Sequence, residues 1–181
     1  MKKLAVLLAL AVLLLAIPGA AFAQKSSWDG WVHQGDLAAY LGIGFGYGFS
    51  LVPGVEWTFV DVKFGDKVPM AFGVTGKGIL NFYPGSWTSY GFGALATAHL
   101  GLKGLDIPEF LQHLDFYISL GLGLSWFSWD AGYTPAYDNP HFGFATADGV
   151  IYNFNDKWAV FLEGSYMGYA AAAAIGGRYT F

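Results

Sequence analysis

The chain has no cysteine, which excludes disulfides, thiolate metal sites, cysteine nucleophiles and a lipid-modified N-terminal cysteine together. It is also poor in charge. Asp, Glu, Lys and Arg make up 12 % of the 181 residues, about half the share of an ordinary globular domain. Basic residues are outnumbered 9 to 13, so the electrostatic footprint of a nucleic-acid binder is missing and no such partner is expected. Beyond residue 23 no apolar run is long enough to cross a membrane as a helix. Yet 55 % of the residues are hydrophobic and 26 are glycine. A hydrophobic chain without a spanning helix fits a membrane β-barrel, whose apolar residues are spread over alternating positions.

The first residues read as a secretory signal peptide. Lys2 and Lys3 precede an apolar stretch over 4–17, and Ala21-Phe22-Ala23 supplies an A-x-A cleavage site. Cleavage after residue 23 takes Lys plus Arg from 9 to 7 against 13 acids, a net charge of −6. The expected organisation is a leader over 1–23, a short periplasmic segment over 24–35, and one domain over 36–181.

That domain is organised with period two. In Leu41-Gly42-Ile43-Gly44-Phe45-Gly46-Tyr47-Gly48-Phe49, glycine alternates with large apolar residues, the signature of a strand with one apolar face and one bare face. Similar segments follow, separated by turn chemistry. Strands are predicted over 36–50, 55–64, 68–83, 87–103, 115–129, 141–154, 158–167 and 171–181, with turns at Pro53-Gly54, Gly65-Asp66-Lys67, Pro84-Gly85 and Asn155-Asp156-Lys157. The connection 104–114 holds one helical turn opened by Pro108, and 130–140 is the longest loop. Eight strands with both ends of the domain on one side predict an all-β, eight-stranded antiparallel transmembrane up-and-down barrel. Aromatics near strand ends, among them Trp87, Tyr90, Trp126, Trp158 and Tyr179, suit interfacial girdles.

Ionisable residues inside such strands are expected to face the lumen. Parity puts Glu163 and Arg178 inward, and a turn near Ala170 would set them opposite each other as a structural ion pair or lumen lining. Lys77 and His99 fall on the inner faces of strands three and four. Asp148 is inward or outward depending on a bulge. Strand two is ambiguous: Glu56 and Thr58 share one face and Asp61 and Lys63 the other, so part of it is expected at an interface. No ring of one sign emerges to select ions. The bare positions Gly42, Gly44, Gly46, Gly48, Gly121 and Gly123, with Ala172, Ala174 and Gly176, predict a thin lumen wall. The space beside it could hold long side chains from other strands, water or an apolar ligand, or the glycines could serve close approach and bending alone.

Catalytic signals are weak. None of His33, His99, His113 and His141 lies in a G-x-S-x-G elbow or a His-x-Ser pair. His141 with Ser125 or Ser128 is the best constellation available. Paired metal ligands at strand spacing are missing, so no metal, cofactor or catalytic residue is expected.

The hairpin Gly149-Val150-Ile151-Tyr152-Asn153-Phe154-Asn155-Asp156-Lys157-Trp158-Ala159-Val160-Phe161-Leu162-Glu163-Gly164-Ser165-Tyr166 resembles those of the small eight-stranded outer-membrane β-barrels, a family that includes the OmpA transmembrane domain, OmpX and OmpW-type proteins. The end, Ile175-Gly176-Gly177-Arg178-Tyr179-Thr180-Phe181, is similar to the terminal strand that the family's assembly machinery recognises, with Tyr179 and Phe181 carrying the signal. The resemblance implies residence in the outer membrane of a diderm bacterium, with outer-membrane lipid and the assembly machinery as partners. It implies a non-enzymatic role in envelope integrity or surface interaction. An OmpW-like conduit or binder for a small apolar ligand is the alternative, and a lipid-modifying barrel enzyme the third. One departure stands out: with Phe181 periplasmic, parity puts the long 104–114 connection on the side where family turns are short.

Overall fold

The computed structural model describes residues 30–45, 48–64, 68–84, 87–129 and 140–181. The expected signal peptide, Gly46 and loop residues 130–139 lie outside the described residues. Eight strands, β1 (Leu37–Phe45), β2 (Phe49–Phe64), β3 (Val68–Tyr83), β4 (Trp87–Gly101), β5 (Leu114–Trp129), β6 (His141–Asn153), β7 (Trp158–Met167) and β8 (Ala170–Thr180), form a closed barrel in chain order. Every neighbouring pair is antiparallel, and β1 pairs with β8 to remove the last free edge. One helical turn, α1 (Glu109–Gln112), follows Pro108 as its position predicts.

The period-two pattern produces an inside-out protein. On β5, Ile118 is 65 % exposed and its neighbour Ser119 is 2 % exposed. Phe116, Leu120, Leu122 and Leu124 share the exposed face, while Asp115 and Ser125 are buried. A continuous apolar exterior around a polar interior belongs to a barrel whose solvent is lipid.

Three local features correct the sequence expectation. The first hairpin does not turn at 51–54: Phe45 already pairs with Phe49, and Leu51 through Gly54 run inside β2 opposite β1. Pro53-Gly54 has turn composition, but the β2–β3 ladder is simply interrupted between Leu51 and Gly54, which spares it a donor that Pro53 lacks. Gly48 therefore belongs to the turn and not to the lumen wall. A Cβ there would come within 2.3 Å of the Phe82 carbonyl oxygen, so the close approach requires glycine.

Second, β2 carries a bulge. Its register to β3 skips Phe59, pairing Thr58 with Gly73 and Val60 with Phe72. One extra residue inverts parity. Glu56 and Thr58 point inward before it, and Asp61 and Lys63 take lumen-side positions after it, opposite Ala71 and Pro69. No part of β2 needs to sit at an interface to hide these charges. Deleting Phe59 should remove the bulge yet leave Asp61 and Lys63 opposite Ala71 and Pro69 on the lumen side, with refolding yield within about twofold of wild type, as read by heat-modifiable migration in detergent.

Third, the β7–β8 turn is Gly168-Tyr169, with Met167 paired to Ala170. Gly168 has φ +61°, a left-handed conformation that favours glycine. This turn lies ahead of Ala170, and it sets the partners discussed below.

The end where β1 begins and β8 finishes is covered. Residues 30–36 fold across it: Gly35 N–H donates to Thr58 O (2.8 Å), and Gln34 N–H to the Asp61 carboxylate (3.1 Å). The 102–113 connection locks against this segment, with Trp31 donating to Gln112 O (2.6 Å) and stacking on His113. The length of that connection, anomalous in sequence, has a local explanation as part of the cap.

Candidate functional site

Lumen-facing polar residues are the obvious candidates, and they assemble around Glu56 on β2. His99 from β4 lies between two carboxylates, Nε2 3.0 Å from Glu56 Oε1 and Nδ1 2.9 Å from Asp115 Oδ1. With acceptors at both nitrogens, the ring is placed as an imidazolium donating twice. Arg178 from β8 donates to the same Glu56 oxygen at 3.3 Å and to Thr180 at 3.0 Å. The second Glu56 oxygen accepts from Thr75 Oγ1 at 3.3 Å. Thr75, Thr97 and Ser119 then continue a hydroxyl chain across β3, β4 and β5 at 2.6 and 2.9 Å. Such chains polarise one another and strengthen the whole.

A second ionic group sits beside the first. Glu163 on β7 forms a salt bridge with Lys77 from β3 and accepts a hydrogen bond from the Tyr117 hydroxyl. Lys77 also lies over the Tyr40 ring, 4.7 Å from its centroid. The two groups contain three acids (Glu56, Asp115, Glu163) and three basic side chains (Lys77, His99, Arg178), each 3 % exposed or less. Charge is balanced within the layer, and no single-sign path exists through it.

The expected Glu163–Arg178 pair does not form. Glu163 is opposite Ala174, and Arg178 is opposite Ala159. The early turn at Gly168 displaces the register by four residues, so each charge finds a partner across the lumen. Lys77 and His99 occupy the predicted inward faces. Glu56, Asp115 and Tyr117 were missed as network members, although their parity on β2 and β5 was readable; what could not be read was the reach of side chains across the barrel.

The thin wall is real in backbone, but beside the ionic layer it encloses no corresponding void; toward the uncovered mouth Gly48 and Ala172 line a recess of about 360 Å³. A Cβ on Gly42 would meet the Phe161 ring at 3.0 Å, and one on Gly176 would meet it at 2.7 Å. Gly54 seats Tyr40, and Gly149 lies against Tyr117. Gly91 and Gly93 make room for Met167, while Gly123 faces Ala145. Gly44 and Gly121 instead lie against neighbouring backbone carbonyls. Ala172 and Ala174 face inward as predicted. Beyond the ionic layer, Ile79, Leu95, Ala145, Ala147, Met167 and Ala170 form an apolar plug. Gly42, Gly54, Gly91, Gly93, Gly149 and Gly176 are sockets for large side chains from other strands.

At the covered mouth, burial raises the Asp36 carboxyl above the usual carboxylate range, opposed by the His33 backbone N–H at 2.8 Å and the charges of His33 and Arg178. At the opposite mouth, Ser125 and His141 are register partners. Ser125 Oγ accepts from Tyr169 N–H at 2.9 Å, and His141 packs on the Tyr169 ring. No hydrogen bond joins His141 to either serine among the described residues. Nor do three or more His, Asp or Glu residues cluster as a metal site among them.

The fold and lumen define an eight-stranded transmembrane β-barrel. No protein-family model and no curated protein matches the chain. Among solved structures, it is similar to the outer-membrane enzyme PagL at 13 % identity and a TM-score of 0.47, covering 81 % of this chain and 98 % of that one. Neisserial surface protein A is similar at 18 % identity and 0.45, with 81 % and 94 % covered. A de novo designed transmembrane β-barrel is similar at 16 % and 0.44, with 83 % and 98 % covered. The assignment of the barrel rests on the chain's own strand register.

Proposed function

We propose that this chain is a non-conducting, non-enzymatic outer-membrane barrel, whose role in envelope integrity or surface interaction is carried by its outside and its distal rim. The observation that carries this reading is the filled lumen. Between Tyr40, Glu56, Tyr117, Ile151, Phe161 and Arg178 the remaining cavity is about 10 Å³, the lower limit for a single water. The apolar plug lies on one side of this layer and the 30–36 cap on the other. An outer-membrane setting is supported by the apolar exterior and by the aromatic end, where Tyr179 packs on Trp158 and Phe181 is 70 % exposed.

The test is conductance of the purified full chain in planar bilayers. A silent membrane is expected. Reproducible conductance steps would overturn the reading and favour the narrow conduit, and acyl-chain release from phospholipid lost in His141→Ala would overturn its non-enzymatic half.

A further inference from the structure

The outer faces of the eight strands carry a single Asp, Glu, Lys, Arg or His among the described residues, and it is Asp148 on β6. No bulge rescues it: β6 runs in unbroken register with β5 and β7, and Asp148 is opposite Ile118 on one side and Gly164 on the other. Phe144, 72 % exposed, lies on the same face of its own strand, and Ile118 is 65 % exposed. A carboxylate within an apolar, lipid-facing surface is costly and calls for a partner.

Asp148 lines one side of a recess of about 360 Å³, whose lining also takes in the lumen-side Ser50, Tyr83 and Ala172. Gly164 and Ala173, register partners on β7 and β8, contribute almost no side chain there. The recess is also lined by Thr146 and by its cross-strand partner Tyr166. These polar groups cluster on an otherwise apolar belt, and none of the three makes a hydrogen bond or ion pair among the described residues. On the lumen side the recess reaches Ser165, whose hydroxyl is buried without a hydrogen-bond partner. It can reach that side because the β1–β8 ladder ends at Gly44–Ala174, short of the upper residues of β8.

We infer that this recess binds the headgroup of a phospholipid bearing a primary ammonium, with Asp148 as the counter-charge. The inference rests on the membrane setting proposed above. An ammonium group brings N–H donors to the Asp148 carboxylate and to the hydroxyl oxygens of Thr146 and Tyr166. The Ser165 and Tyr166 hydroxyls can donate to the adjoining phosphate. Apolar Leu162 and Ile175, both exposed near the site, offer surface for acyl chains. A hard divalent cation is a poorer match, because it would need several oxygen ligands and the recess supplies one carboxylate. A second copy also fits badly. A twofold contact would set Asp148 against Asp148, and the described outer strand faces offer no cation for any other arrangement.

The test uses the full chain, delipidated in detergent and exposed to an equimolar mixture of phosphatidylethanolamine and phosphatidylglycerol with the same acyl chains. Native mass spectrometry should show one retained lipid, with phosphatidylethanolamine preferred about tenfold. Asp148→Asn should bring the preference close to unity. Gly164→Leu, whose new Cβ has only Asp148 within 4.0 Å, should fill the recess and abolish retention while the barrel stays folded. Equal retention of the two lipids by a barrel that shows heat-modifiable migration, or full preference in both variants, would overturn the site and leave the barrel reading intact. A chain that lacks heat-modifiable migration in detergent would overturn the membrane reading and the site with it.

Discussion

Glu56→Ala is expected to destabilise the folded barrel by about 3–5 kcal/mol, measured by denaturant unfolding in detergent micelles. The size follows from what is left behind. His99 would keep Asp115 but lose its Nε2 partner, and Arg178 would keep only Thr180. Two basic groups that are now balanced would share a dry interior with one acid fewer. The hydroxyl chain from Ser119 through Thr97 and Thr75 would also lose the acceptor on which it ends. Most of the penalty is desolvation without compensation, so it exceeds the net worth of the intact pairs. Glu56→Gln keeps an acceptor oxygen and the side-chain volume, and should fall between wild type and Glu56→Ala. A loss below about 1 kcal/mol for Glu56→Ala would show that the network is solvated, which would also weaken the case for a sealed lumen.

The second large effect concerns two adjacent glycines with opposite surroundings. Gly176→Val should cost about 3 kcal/mol or more, and Gly177→Val should be neutral within about 0.5 kcal/mol. A Cβ at Gly176 would sit 2.2 Å from the Leu41 carbonyl oxygen, 2.6 Å from Gly42 Cα and 2.7 Å from the Phe161 ring. Two of these neighbours are backbone and cannot step aside, so β1 and β8 would have to separate. At Gly177 nothing lies within 4 Å, and the side chain would enter the outer apolar face, where a β-branched residue is well suited to a strand. Both variants can be followed by thermal loss of heat-modifiable migration. Equal effects at the two positions would contradict the register between β1 and β8.

How much of this was legible in advance varies by feature. The alternation on β4 and β5 specified which side chains face lipid, because a period-two pattern with one apolar face admits a single orientation. The tight bounds of β3 and β7 were legible for the same reason, helped by the turn chemistry at Asn155-Asp156-Lys157. Pro53-Gly54 misled because turn composition is a local signal, and the hairpin was decided by pairing Phe45 with Phe49. The Phe59 bulge was visible only as a contradiction between Glu56 and Asp61. Its resolution needed the partner strand.

By itself, then, the sequence determined the inside-out character of the chain, the number of strands and the inward faces of Lys77, His99, Glu163 and Arg178. These depend on spacing along one strand, which the chain carries locally. Only the tertiary structure decided which charges meet, that Phe161 and Met167 occupy the space the glycines leave, and that Asp148 faces lipid beside two hydroxyls. Those outcomes depend on register between strands and on reach across a narrow closed ring. One displaced turn at Gly168 moved the partner of Glu163 from Arg178 to Lys77, and one extra residue at Phe59 reversed the faces of β2. Small shifts of this kind have large consequences because every side chain in a closed barrel has its position fixed by two neighbours at once.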